Sequence, residues 1–114
     1  MTPEELEEFL AQYENKRFVQ RVLFPDGKYI RRENGAKATH QMAAEIDPHT
    51  GQAYAFPMIV DKGTGELYEY EDPFEALEYN LSTGNAIGFP DIEAAVTFTR
   101  TYKPKSFSKF YQNQ

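Results

Sequence analysis

Thr39-His40-Gln41-Met42-Ala43-Ala44-Glu45-Ile46-Asp47-Pro48-His49-Thr50-Gly51-Gln52-Ala53-Tyr54-Ala55-Phe56-Pro57-Met58-Ile59-Val60 is the stretch on which the fold turns. Its centre, Asp47-Pro48-His49-Thr50-Gly51, is turn chemistry: proline presets one backbone angle, aspartate bonds its own backbone, and glycine tolerates a left-handed conformation. Taken alone, the run 39–46 fits a strand or a short helix. Two turn-bounded apolar runs of this length, 39–46 and 53–60, match a β-hairpin, so strand is favoured for both. Pro57 lies inside the second run and has no amide to donate, which assigns it to an edge or a bulge.

Toward the N-terminus the pattern changes. Thr2-Pro3-Glu4-Glu5 combines a hydroxyl N-cap, proline at the first helical position and glutamate three residues after the cap. Leu6, Phe9, Leu10 and Tyr13 then recur at helical spacing, which predicts a helix to about Asn15. Phe18 to Phe24 is rich in Val, Leu and Phe; with the Pro25-Asp26-Gly27 turn and Lys28 to Arg32 it reads as another β-hairpin.

Toward the C-terminus, Asp61 to Gly65 is a turn and Glu66 to Tyr70 alternates polar and apolar residues as a short strand does. Asp72-Pro73-Phe74-Glu75 repeats the helix-start chemistry. Phe74, Leu77 and Leu81 give that helix its buried stripe, and Gly84 a left-handed C-cap. Asn85 to Pro90 is a connection, and Asp91 to Lys103 a last helix with Ile92, Ala95, Val96, Thr99 and Tyr102 on one face, stopped by Pro104. The expected fold is α+β: a small antiparallel sheet of hairpins with an N-terminal helix and a C-terminal helical pair. One domain spans 1–105, followed by a basic aromatic tail at 106–114.

Composition agrees with one domain. The chain has 114 residues, of which 40% are hydrophobic and 15% aromatic, enough large rings for a core without tryptophan. The absence of cysteine excludes a disulfide framework and thiolate chemistry. Met1 to Glu8 is acidic and unlike a secretory signal, and no apolar run approaches the ~20 residues of a membrane span, so a soluble, unprocessed chain is expected. The net charge of −6 comes in blocks. Glu4 to Glu14 and Glu66 to Glu78 carry only acids, Lys16 to Lys37 is mostly basic, and Arg100, Lys103, Lys105 and Lys109 leave a purely basic C-terminus. Such blocks form solvated faces or contacts between acidic and basic patches; nonspecific duplex binding needs more Lys and Arg on one face.

Candidate chemistry is sparse. His40, Glu45, Asp47 and His49 lie close in sequence, but on a strand His40 shares a face with Met42 and Ala44 while Glu45 points the other way, which favours a structural His40 over a metal ligand. There is no Gly-x-Ser-x-Gly nucleophile elbow. Asp61-Lys62-Gly63-Thr64-Gly65 has no following helix to cradle a phosphate and reads as a hairpin turn. The carboxylates Glu69, Glu71, Asp72 and Glu75 coincide with a helix N-terminus, where capping accounts for them. No catalytic residue, cofactor or metal site is assigned, and an enzyme is not expected. Partner contacts are a different matter. Tyr68, Tyr70 and Tyr79 fit either an interface or sheet packing, and tyrosine is enriched at binding hot spots. Phe107, Lys109, Phe110 and Tyr111, beyond a helix-ending proline, offer an aromatic basic arm if they do not fold back.

One series of motifs runs most of the chain: Thr39-His40-Gln41-Met42-Ala43-Ala44-Glu45, Ala55-Phe56-Pro57-Met58-Ile59-Val60, Glu75-Ala76-Leu77-Glu78-Tyr79 to Thr83-Gly84-Asn85, Ile87-Gly88-Phe89, Glu93-Ala94-Ala95 and Tyr102-Lys103. It resembles a small module of tailed-phage and prophage proteins, found alone and inside large virion-associated polypeptides. The likeness covers about Phe18 to Tyr111; Met58 stands where that module has threonine. The resemblance implies a virion structural or ejection-associated protein; the resulting expectation is a particle component, assembled in the bacterial cytoplasm, that binds other virion proteins and is able to self-associate, while the short apolar runs and the charge distribution speak against membrane and nucleic-acid partners. Two other readings stand beside it. An acidic host-takeover inhibitor requires one wholly acidic face, and a small hydrolase requires His40, Glu45 and a hydroxyl to converge in a pocket.

Overall fold

A computed structural model of the protein describes residues 2–24 and 26–102. The tail at 106–114, and with it Phe107, Lys109, Phe110 and Tyr111, lies outside the described residues.

Helix α1 spans Pro3–Ala11 and starts as its sequence dictates. The Thr2 hydroxyl accepts from the Glu5 amide at 3.1 Å, and the Glu5 carboxylate accepts from the Thr2 amide at 3.2 Å, a reciprocal capping box. Leu6 and Leu10 are buried.

The segment expected to open the first hairpin is instead helical: α2 spans Arg17–Leu23. Phe18, Val19, Val22 and Leu23 are all buried while Arg17 and Gln20 face water, which is the one-sided stripe of a helix and not the alternation of a strand. Packing of this stripe outweighs the β preference of its branched residues. Lys28 to Arg32 does contribute a strand, β1 (Ile30–Arg31), but it pairs antiparallel with β2 (Lys37–Ala38) across the Glu33-Asn34-Gly35 turn.

The decisive stretch folds as a hairpin. Strand β3 (Met42–Ile46) pairs antiparallel with β4 (Ala53–Pro57), from Met42 opposite Pro57 to Ile46 opposite Ala53. In the turn, the Asp47 carboxylate accepts from the His49 amide at 2.9 Å and the Asp47 carbonyl from the Gly51 amide at 2.8 Å, with Gly51 left-handed at φ +75°. The run 53–60 is split at Pro57, where β4 ends. Beyond it the Met58 amide still reaches the Gln41 carbonyl (2.7 Å). The chain then enters β5 (Ile59–Asp61), which pairs with β6 (Leu67–Glu69) in a separate ribbon.

Helix α3 spans Pro73–Ser82, capped by the Asp72 carboxylate on the Phe74 amide at 2.9 Å. Its last turn closes as a Schellman motif. The Asn85 amide reaches the Asn80 carbonyl (2.7 Å) and the Gly84 amide the Leu81 carbonyl (3.3 Å), with Gly84 at φ +71°. Leu77 is buried, but Phe74, expected in the same stripe, is 51% exposed. Residues 85–90, expected as plain connection, contain a third strand, β7 (Ile87–Phe89), which pairs antiparallel with β4. Helix α4 spans Ile92–Thr101, with the Asp91 carboxylate on the Ala94 amide at 2.8 Å. Its buried positions are Ala95 and Phe98, with Tyr102 just after it; Phe98 belongs to the stripe in place of the half-buried Val96 and Thr99.

The fold is therefore α+β around a central sheet of order β3-β4-β7, whose alternating side chains build a core on each face. Met42, Ala44, Ala53, Ala55, Ile87 and Phe89 meet α1, α2 and α4; Ala43, Tyr54 and Phe56 meet Met58 and α3. A buried amide relay joins the layers. Asn80 donates to the carbonyls of Pro57 (2.9 Å) and Ala76 (2.7 Å) and accepts from Asn85 (3.1 Å). Asn85 in turn accepts from the Phe18 amide, one of the orphan donors of α2 (3.3 Å).

Candidate functional site

The β5–β6 ribbon and α3 bring three tyrosines to one place on the surface. Tyr68 and Tyr70 are two residues apart along β6 and its extension, so they share a face. Their rings meet edge to face with centroids 4.8 Å apart at 75°. Tyr79 comes from α3, 5.7 Å from Tyr70. The ribbon's turn completes the group: the Asp61 carboxylate accepts from the Gly63 amide at 2.8 Å, and Lys62 extends over the rings. Its Nζ lies 4.2 Å from the Tyr68 centroid, 4.9 Å from Tyr70 and 4.8 Å from Tyr79, all within cation–π range. Interaction with Tyr70 holds the Lys62 ammonium above the usual lysine range. Tyr68 remains 49% exposed.

Next to this cluster Asp61 anchors an ionic knot. Its Oδ2 receives Arg17 at 2.8 Å and Lys28 at 3.0 Å, and its side chain is 1% exposed. The Arg17 hydrogen bond, helped by the Gly63 amide and Lys28, holds the carboxyl far below the ordinary carboxylate range despite burial. On the ribbon, Arg32 engages Glu69 through two nitrogens (2.8 and 3.2 Å) and Gln41 at 2.8 Å, a fork geometry that suits guanidinium. Arg21, buried, holds Asp26 (3.3 Å) and the Thr39 carbonyl (3.1 Å). The basic stretch 16–37 thus directs much of its charge into the chain itself.

The other polar candidates are dispersed. His40 precedes β3, its Nδ1 3.0 Å from the Thr39 hydroxyl, while His49 lies in the turn after β3. Among the described residues no three His, Asp or Glu side chains converge in a metal-binding group. A shallow cleft of about 400 Å³ lies between that turn and α3, lined in part by His49, Phe74 and Leu81. Among the described residues no helix is long and apolar enough to cross a membrane.

Of the residues singled out in the sequence, Tyr68, Tyr70 and Tyr79 are brought together and Phe107, Lys109, Phe110 and Tyr111 lie outside the described residues. Lys62 was legible only as part of a turn. The available signal is its isolation, since it is the single Lys or Arg between Lys37 and Arg100.

No protein-family model, curated protein or solved structure matches this chain.

Proposed function

We propose that this protein is a non-enzymatic module of a tailed-phage particle that docks other virion proteins through the tyrosine cluster. The observation that carries the docking surface is Tyr68, 49% exposed, with Tyr70 and Tyr79 fixed beside it by a hairpin and a helix. Rigid aromatic rings of this kind bury a large contact area at little entropic cost and dominate binding energy at interfaces. The particle setting rests on the motif series from Thr39-His40 to Tyr102-Lys103.

Photo-cross-linking tests both parts. With p-benzoylphenylalanine in place of Glu71, exposed one residue beyond Tyr70, purified particles are expected to yield a discrete adduct with a virion protein. An adduct with a host nucleic-acid-binding protein, formed in infected cells and missing from particles, contradicts the proposal. It would favour the inhibitor reading, toward which the acidic run Glu66 to Glu78 points.

A further inference from the structure

Lys62 occupies a position that is chemically a ligand's. Three ring faces surround its ammonium at 4.2 to 4.9 Å from their centroids, and it enters from a turn that does not depend on it. The turn is held by the Asp61–Gly63 contact at 2.8 Å and by β5–β6 pairing, with Gly63 and Gly65 supplying the left-handed backbone at φ +83° and +92°. Only the exposed, flexible Lys62 side chain has to swing for the rings to be vacated. Ring quadrupoles attract an ammonium and repel an anion.

We propose that Tyr68, Tyr70 and Tyr79 form a cage for an alkylammonium group, closed in the free protein by Lys62 and entered by a lysine side chain of a bound protein that displaces it. This rests on the tyrosine cluster being the docking surface, and it names what that surface reads. Lys62 then acts as an internal competitor: a partner lysine gains the cage only when its neighbouring contacts outweigh the tethered occupant, so isolated lysines bind weakly and correctly framed ones bind well. A purely structural clip would use the same contacts but would leave no vacancy for a cation when removed.

The test uses small probes and no partner. Lys62→Ala and Lys62→Gln, each with an unchanged far-ultraviolet spectrum, are titrated with tetramethylammonium chloride and with N-acetyl-lysine methylamide while tyrosine ring resonances are followed. Neopentyl alcohol serves as the uncharged control of similar bulk. The cage predicts saturable shifts of all three rings with both cations, roughly tenfold weaker binding to the unsubstituted protein because Lys62 competes, and no response to the alcohol. Adding Tyr79→Leu to Lys62→Ala abolishes the effect. Folded Lys62 variants that show no saturable shift, or that bind no better than the unsubstituted protein, overturn the cage. In either case cross-linking at position 71 stands or falls separately.

Discussion

Asp61 shows most clearly how one residue holds distant segments together. Its carboxylate is 1% exposed and joins Arg17 and Lys28 to the β5–β6 turn. Asp61→Asn keeps the shape but removes the charge, leaving two cations facing an amide; a loss of about 2 kcal/mol is expected by chemical denaturation, below the full buried-pair value because Arg17 is half exposed. The pH dependence follows from the direction of the shift. The folded-state pKa is far below the ~3.9 of an unfolded aspartate, so the stabilisation is complete above about pH 4 and declines as pH falls toward the folded value. The gap between the native protein and Asp61→Asn should therefore narrow from pH 5 to pH 3, and a constant gap would contradict this role. Asn80 makes a second case, completely buried with both donor contacts on carbonyls. Asn80→Ala strands the Pro57 carbonyl and the Asn85 amide and should cost about 2–4 kcal/mol, read from the denaturation midpoint.

At the scale of elements, what the sequence makes legible is what neighbouring residues decide. The Thr2–Glu5 box, the Asp72 and Asp91 caps, the Gly84 termination and the Asp47–Gly51 turn all act within a few residues, and each appears where its chemistry predicts. What escapes is set from a distance. Ile87–Phe89 is too short, with Gly88 at its centre, to announce a strand; it becomes one because β4 offers a free edge. Phe98 joins the stripe of α4 because Phe9 and Phe89 receive its ring at 5.6 and 5.3 Å. In the candidate site the tyrosines are visible in sequence, whereas their occupant Lys62 is recognisable only once a ribbon and a helix meet. Arg17–Leu23 misleads for another reason: its β-branched, aromatic composition favours a strand and its burial period favours a helix. Gln20, exposed on α2, separates the two by substitution. Gln20→Ala should be more stable than Gln20→Val by about 0.5 kcal/mol, since alanine favours helix and valine favours strand; the opposite order would restore the strand.

On the scale of the whole molecule, one sheet carries a helical core on each face, and the basic stretch 16–37 is folded against acidic groups of the β5–β6 ribbon. Arg17 and Lys28 meet Asp61, and Arg32 meets Glu69, which ties the basic stretch to the ribbon that presents the tyrosines. The basic aromatic tail is expected to serve partner contact, so deleting residues 106–114 should leave the thermal midpoint and far-ultraviolet spectrum nearly unchanged while weakening partner binding; an unfolded truncation would assign those aromatics to the core. The proposed role requires a fixed place among virion proteins, which quantitative mass spectrometry of purified phage particles, scaled to the major capsid protein, can check. This chain is expected in particles at a constant, symmetry-compatible stoichiometry; abundance in infected cells with absence from particles would rule that role out.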